Sequence, residues 1–363
     1  MRLAIAALLA LLSSLPGPGA RAQDVVNVYN WTDYIDPAII TDFERETGIH
    51  VRYDVYDSLE TLEAKLSAGH SGYDVVVPTS EPTFSRLIQA GALKPLDWSR
   101  IPNRAGLDRA LMQRVETSDP GNHYGAIYLW GTIGLGILPD KVRAAASNAP
   151  MDSWDLLFKP ENARRLKGCG ITVLDSAIDV IPTVLKYLGR DPDSTDPHDL
   201  AAVEKVLIGI RPFIRTFTSG GTINALAGGE TCVAMAYSGD VIQAQVRAQE
   251  ARQGVEVRYV APRQGAQLWF DMLAVPDDAP DPYAAFAFIN YILRPEVMAR
   301  ITNKVHYANA VPASRLWINR AIADDPDVYP PPLEMINFFT VRAVPQAAER
   351  VRTRLWARFK AGS

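Results

Sequence analysis

The sequence predicts an α/β fold of two lobes, each a mainly parallel sheet flanked by helices. Three observations carry that expectation. Short apolar strands alternate with helix-period segments over residues 25–91, the same grammar returns over 171–251, and two long extended stretches, 124–138 and 255–275, lie between and after these blocks. A length of 363 residues also favours two domains over one.

The first 22 residues read as an export signal. Arg2 precedes an apolar run over 3–12, and Ala20-Arg21-Ala22 offers small residues before Gln23, where the mature chain is expected to start. The run is too short to span a membrane, and no second run of about 18 apolar residues follows. The expected location is periplasmic, or an equivalent space outside the cytoplasm.

From Gln23 the elements follow in order. Residues 25–29 are a β-branched run, Asp36-Pro37 starts a helix with Ile39, Ile40 and Phe43 on one face, and Gly48 ends it. Val51, Tyr53 and Val55 alternate as a strand with one solvated face. Ser58 caps a helix bearing Leu59, Leu62 and Leu66, residues 73–77 form an apolar strand closed by Pro78, and Phe84, Leu87 and Ile88 mark another helix. The second block gives strands at 171–174 and 231–236, with helices at 180–188 and 241–251. The two extended stretches suggest that the chain enters the second lobe near Gly131 and leaves it near Gly254. The expected division is 23–130 with 254–298, and 131–253 with 299–363. Residues 350–360, basic with Val351, Leu355, Trp356 and Phe359 at helical spacing, are expected to form a helix on the second lobe.

Charge narrows the function. With 37 Lys and Arg against 41 Asp and Glu the formal charge is -4, which argues against a nucleic-acid or anionic-membrane partner. Cys169 and Cys232, in an oxidising compartment, suggest a disulfide closing a loop of 63 residues (169 to 232), worth about 4 kcal/mol in the chain-entropy picture. Two separate buried thiols are the alternative. No G-x-S-x-G elbow, H-E-x-x-H pair, Walker loop or G-x-G-x-x-G after a strand is present, so neither a cofactor nor a metal is expected.

In open parallel sheets ligands sit beyond the carboxyl ends of strands. The residues there are aromatic and acidic: Asn30-Trp31-Thr32-Asp33-Tyr34, Thr79-Ser80-Glu81, Asp175 with Asp179, and Tyr237-Ser238-Gly239-Asp240. Asp271 interrupts an apolar strand directly after Trp269 and Phe270, where no capping role is open to it. Each has a plainer reading beside it: Trp31 and Tyr34 as packing, Asp33, Asp36 and Asp240 as helix caps. Taken together, carboxylates that pair ammonium groups and aromatic faces that cover an apolar stem suit a small organic cation. Paired carboxylates could also serve a hydrolase as acid and base, the enzymatic alternative to binding.

The blocks Tyr29-Asn30-Trp31-Thr32-Asp33-Tyr34-Ile35, Phe43-Glu44-Arg45-Glu46-Thr47-Gly48-Ile49, Tyr73-Asp74-Val75-Val76-Val77-Pro78, Asp152-Ser153-Trp154-Asp155-Leu156 and Tyr307-Ala308-Asn309-Ala310 resemble the periplasmic polyamine-binding proteins of bacterial ABC transporters, the putrescine branch above all. The resemblance implies a two-lobed type II periplasmic binding protein fold with the ligand cleft between the lobes, and reversible capture of a polyamine for import, not catalysis. Spermidine, cadaverine or agmatine are alternative ligands. It also implies a membrane permease as partner, and a monomer is expected.

Residue by residue, it places Trp31, Thr32, Asp33, Tyr34, Thr79, Asp179, Tyr237, Asp240, Trp269, Asp271 and Tyr307 at the ligand, with Glu81 as an extra acid because its loop looks one residue longer than the family's. Asp271 and Asp240 are expected to hold one ammonium end, and Asp33, Asp179 or Glu81 the other. Trp31, Tyr237, Trp269 and Tyr307 are expected to clamp the methylene chain. Tyr307 is identified through the resemblance alone. Asp179, Tyr237 and Trp269 stand where the branch has Glu, Trp and Phe, so the carboxylate set is intact while the aromatic walls are re-cut.

Overall fold

The computed structural model describes residues 24–362; the expected export signal lies outside them. Among the described residues eleven strands join in one sheet: β1 (Val25–Trp31), β2 (His50–Tyr56), β3 (Val75–Val76), β4 (Leu93–Lys94), β5 (Gly125–Ile137), β6 (Ile171–Val173), β7 (Thr216–Phe217), β8 (Val233–Tyr237), β9 (Arg258–Val260), β10 (Gln267–Pro276) and β11 (Ala308–Asn309). The main path runs β2-β1-β3-β10-β5-β8-β6-β7, with β4 on β10 and both β9 and β11 on β5.

The sheet is mixed rather than mainly parallel. Its flanks are parallel as expected, β1 with β2 and β3, and β6 with β7 and β8. The two longest strands, β5 and β10, run antiparallel to each other and to their neighbours. The physical reason is the connection: β1, β2 and β3 are joined by crossover helices that return each strand in the same direction, whereas β5 and β10 are the extended crossings between the halves. The first part of β5 pairs with β10 and its last part with β8 and β9, so one strand belongs to both halves of the sheet.

Local chemistry sets the element ends. Helix Pro37–Thr47 starts where the Asp36 carboxylate accepts from the Ala38 amide, and stops at Gly48 in the left-handed region. Ser58 caps helix Leu59–Ser67 through the Thr61 amide. Of the expected strand over 73–77 only β3 joins the ladder. The C-terminal helix, Gln346–Ala361, buries Leu355 and Phe359 against helices Ala177–Tyr187 and Pro197–Ile210. Among the described residues no helix is long and apolar enough to cross a membrane.

Cys169 and Cys232 are bonded, tying the segment before β6 to the start of β8. Trp154 is fully buried and donates its indole N–H to the Gly265 carbonyl at 2.9 Å, which fixes the loop leading into β10.

Candidate functional site

β10 carries the centre of the site. Strand alternation puts Gln267, Trp269 and Asp271 on one face, and each contacts a different part of one cluster. Asp271 is 4% exposed. It accepts from the Tyr34 hydroxyl at 2.8 Å and the Thr79 hydroxyl at 2.6 Å, and Thr79 also forms an isolated antiparallel bridge with it. Asp179, in the first turn of helix Ala177–Tyr187, accepts from the Tyr237 hydroxyl at 2.9 Å and the Gln267 amide at 3.0 Å. Asp240, in the first turn of helix Ser238–Ala251, makes no capping bond; it accepts from the Tyr307 hydroxyl at 2.8 Å.

Each of the three carboxylates is therefore held by one tyrosine, and the rings themselves are in contact. Tyr34 meets Tyr307 edge-on at 5.7 Å, Tyr307 meets Trp269 at 5.2 Å, and Trp269 meets Tyr237 at 6.0 Å. The Tyr128 hydroxyl supports this wall from behind by donating to the Tyr34 carbonyl at 2.6 Å. Tyr307 is presented by its neighbours: Ala308 and Asn309 form β11 on β5, and the Asn309 side chain accepts from the Val311 amide and the Ser314 hydroxyl.

The electrostatics follow from burial without a counter-ion. Burial pushes the Asp271 carboxyl up to about 7, with the Asp179 charge adding to it and the Thr79 and Tyr34 hydroxyls opposing it. Burial lifts Asp240 to about 6, against the Tyr307 hydroxyl and the more distant charge of Arg247. Asp179 is also raised by burial, with Ser176, Tyr237 and Gln267 pulling it back. Among the described residues no Lys or Arg forms an ion pair with any of the three, whereas Asp42, Asp193 and Glu46 elsewhere each pair with an arginine. A lining of acids, hydroxyls and aromatic faces suits a cation with an apolar stem.

The other expected residues fall less centrally. Trp31 donates to the Val77 carbonyl at 3.0 Å and packs on Tyr56, whose hydroxyl donates to the same carbonyl at 2.6 Å, just before Thr79. Thr32 is exposed and tied to the Tyr56 carbonyl. Asp33 is exposed, with φ of 54°, and its carboxylate makes no hydrogen bond among the described residues. Glu81 turns away from the carboxylate cluster: it accepts from the Ser85 hydroxyl at 2.7 Å and the Ala343 amide at 2.9 Å. Asp175 pairs with Lys360 at 2.7 Å, so a cation does stand beside that strand end. The sequence reading missed Gln267 and Tyr56. For Gln267 the signal was present, because it shares the alternation that singled out Trp269 and Asp271.

Residues 38–330 match the family model described as bacterial extracellular solute-binding protein. The chain belongs to that family. It is 47% identical to the putrescine-binding periplasmic protein SpuD of Pseudomonas aeruginosa, over 98% of this chain and 97% of that protein. It is 44% identical to the putrescine-binding periplasmic protein PotF of Escherichia coli, over 97% and 96% respectively. Among solved structures, the spermidine/putrescine ABC transporter substrate-binding protein PotD of Streptococcus pneumoniae superposes with a TM-score of 0.79 at 26% identity, covering 93% of this chain and 99% of that one. The fold is that of the type II periplasmic binding proteins.

Proposed function

We propose that this chain is a periplasmic receptor that captures putrescine and hands it to the permease of an ABC importer. The observation that carries the reading is the trio Asp179, Asp240 and Asp271, each oriented by a tyrosine hydroxyl and none paired with a basic side chain among the described residues. Two putrescine-binding relatives above 40% identity support the same ligand.

In this reading Asp271 and Asp240 take one ammonium end and Asp179 the other, while Trp269, Tyr237 and Tyr307 cover the methylenes. Four buried methylenes contribute on the order of 3 kcal/mol at about 0.8 each. Charge-assisted hydrogen bonds supply the rest, less the cost of desolvating the charges. Glu81 has no part in it.

We assign the lobes as 24–130 with 254–329, and 131–253 with 330–362. The return near 254 and the crossing near Gly131 are supported by the shared strand β5. The last boundary moves from 298 to Tyr329, because Arg300 pairs with Asp36 and Asp42, the Asp108 amide donates to the Ala310 carbonyl, and Tyr329 packs on Trp130. The site then lies on the crossings, where closure of the lobes around a ligand brings Asp271 and Asp240 together.

The test is calorimetric titration of the chain from Gln23, unfolded and refolded to strip carried-over ligand, with putrescine, cadaverine, spermidine and agmatine. The expected result is tightest binding of putrescine. Absence of heat with every amine overturns the reading.

A further inference from the structure

We propose that Gln267 is a specificity-determining residue, a polar clamp that recognises the ligand's far ammonium together with Asp179. This rests on the diamine reading above and deepens it.

Gln267 sits at the start of β10, buried to 2% exposure, two residues before Trp269 and four before Asp271. At about 3.4 Å per residue the strand separates the Cα atoms of Gln267 and Asp271 by roughly 14 Å. The two ends of the cluster are thus carried by one rigid strand. The Gln267 side chain does two things at its end. Its Nε2 donates to Asp179 Oδ1 at 3.0 Å, while Tyr237 holds Oδ2 at 2.9 Å, so the carboxylate is fixed from both sides by neutral donors. Its Oε1 is buried and has no donor among the described residues. A buried carbonyl left without a donor is unfavourable, and native folds rarely keep one unless something else supplies the hydrogen.

An ammonium group carries three N–H donors. Asp179 alone, already accepting two hydrogen bonds, leaves part of that donor set unmet. The Gln267 carbonyl, in the same carboxamide that grips Asp179, supplies a second acceptor beside the carboxylate. The pair is therefore complete only when a donor-rich cationic end arrives. A neutral or apolar end leaves the carbonyl unsatisfied, so Gln267 selects diamines over monoamines and sets where the second nitrogen must lie. A buried water is the competing donor.

The experiment compares wild type with Gln267→Met, which keeps the side-chain length and removes both amide functions. Affinities for putrescine and for n-butylamine, which lacks the far ammonium, are measured by calorimetry and by thermal shift at high amine concentration. The expected result is a loss of ten-fold or more for putrescine with less than a two-fold change for butylamine. Equal losses for both amines would assign Gln267 a merely structural role or a resident water, and an unchanged putrescine affinity would likewise overturn the proposal. Wild type that binds no diamine would instead overturn the underlying reading. Gln267→Asn, which keeps the amide but withdraws it by one methylene, covers the case in which the methionine variant fails to fold. It is expected to shift the cadaverine-to-putrescine preference at least three-fold toward the longer diamine, and an unchanged ratio counts against the clamp.

Discussion

Asp271 holds its proton to about pH 7 in the folded, empty protein because burial disfavours its charge. The unfolded chain releases that proton near the ordinary aspartate range. Between about pH 4 and 7 the native state therefore binds more protons than the unfolded one, and the stability linked to this group is present in acid and lost as pH rises through 7. Asp240, raised to about 6, acts in the same direction. A bound ammonium reverses the balance by favouring the carboxylates. Putrescine affinity is expected to strengthen from about pH 5.5 to 8, with protons released on binding near pH 6, read from calorimetric heats in buffers of different ionisation enthalpy. Asp271→Asn should raise the Tm of the empty protein at pH 8 and weaken putrescine binding ten-fold or more, at least about 1.4 kcal/mol. Wild-type binding in that variant would remove Asp271 from the site. Asp271 was legible in the sequence because a carboxylate inside an apolar strand has to be accounted for. Asp33 and Glu81 stand outside the cluster of Asp179, Asp240 and Asp271, and their positions depend on loop geometry, which no periodicity encodes.

The elements around the site approach more closely than side chains normally allow, and glycine makes this possible. A Cβ on Gly239, in the first turn of helix Ser238–Ala251, would stand 2.6 Å from the Tyr307 ring, and one on Gly131 in β5 would stand 2.7 Å from the Trp269 ring. Inside a helix, replacing glycine by alanine ordinarily gains up to about 1 kcal/mol. Here Gly239→Ala is expected to push Tyr307 off Asp240 and weaken putrescine binding at least five-fold without raising Tm, measured by thermal unfolding with and without ligand. A more stable protein of unchanged affinity would show that Tyr307 is not a wall of the site. Strands and helices were legible here because hydrophobic period and caps are local. The direction of β5 and β10 was not, since pairing between residues more than a hundred positions apart leaves no trace in a strand's own pattern.

Across the whole molecule, the segment from Phe339 onward touches both halves. Phe339 exchanges backbone hydrogen bonds with Ala266 and Leu268, and Arg342 binds Asp193 through its backbone amide and its guanidinium, each at 2.8 Å. Farther on, the Ala343 amide reaches Glu81, and Glu349 in the C-terminal helix pairs with Arg86, which also holds Glu63 at 2.6 Å. Glu63, Glu81 and Arg86 fall in the first proposed lobe, and Asp193, Arg342 and Glu349 in the second. The C-terminal strap thus ties the two proposed lobes together, beside a cleft of about 470 Å³ lined by residues of both. A half-exposed ion pair contributes only about 0.2–1 kcal/mol, so its effect on closure is bounded at roughly five-fold. Glu349→Gln is expected to weaken putrescine binding two- to five-fold at low salt, through a population shifted toward the open form. Because exposed pairs are screened, the ratio of mutant to wild-type dissociation constants should fall toward one at about 0.5 M salt, even though both proteins bind the dication less tightly there. A ratio of one at every salt concentration would mean that the strap fastens the second lobe to itself and takes no part in closure.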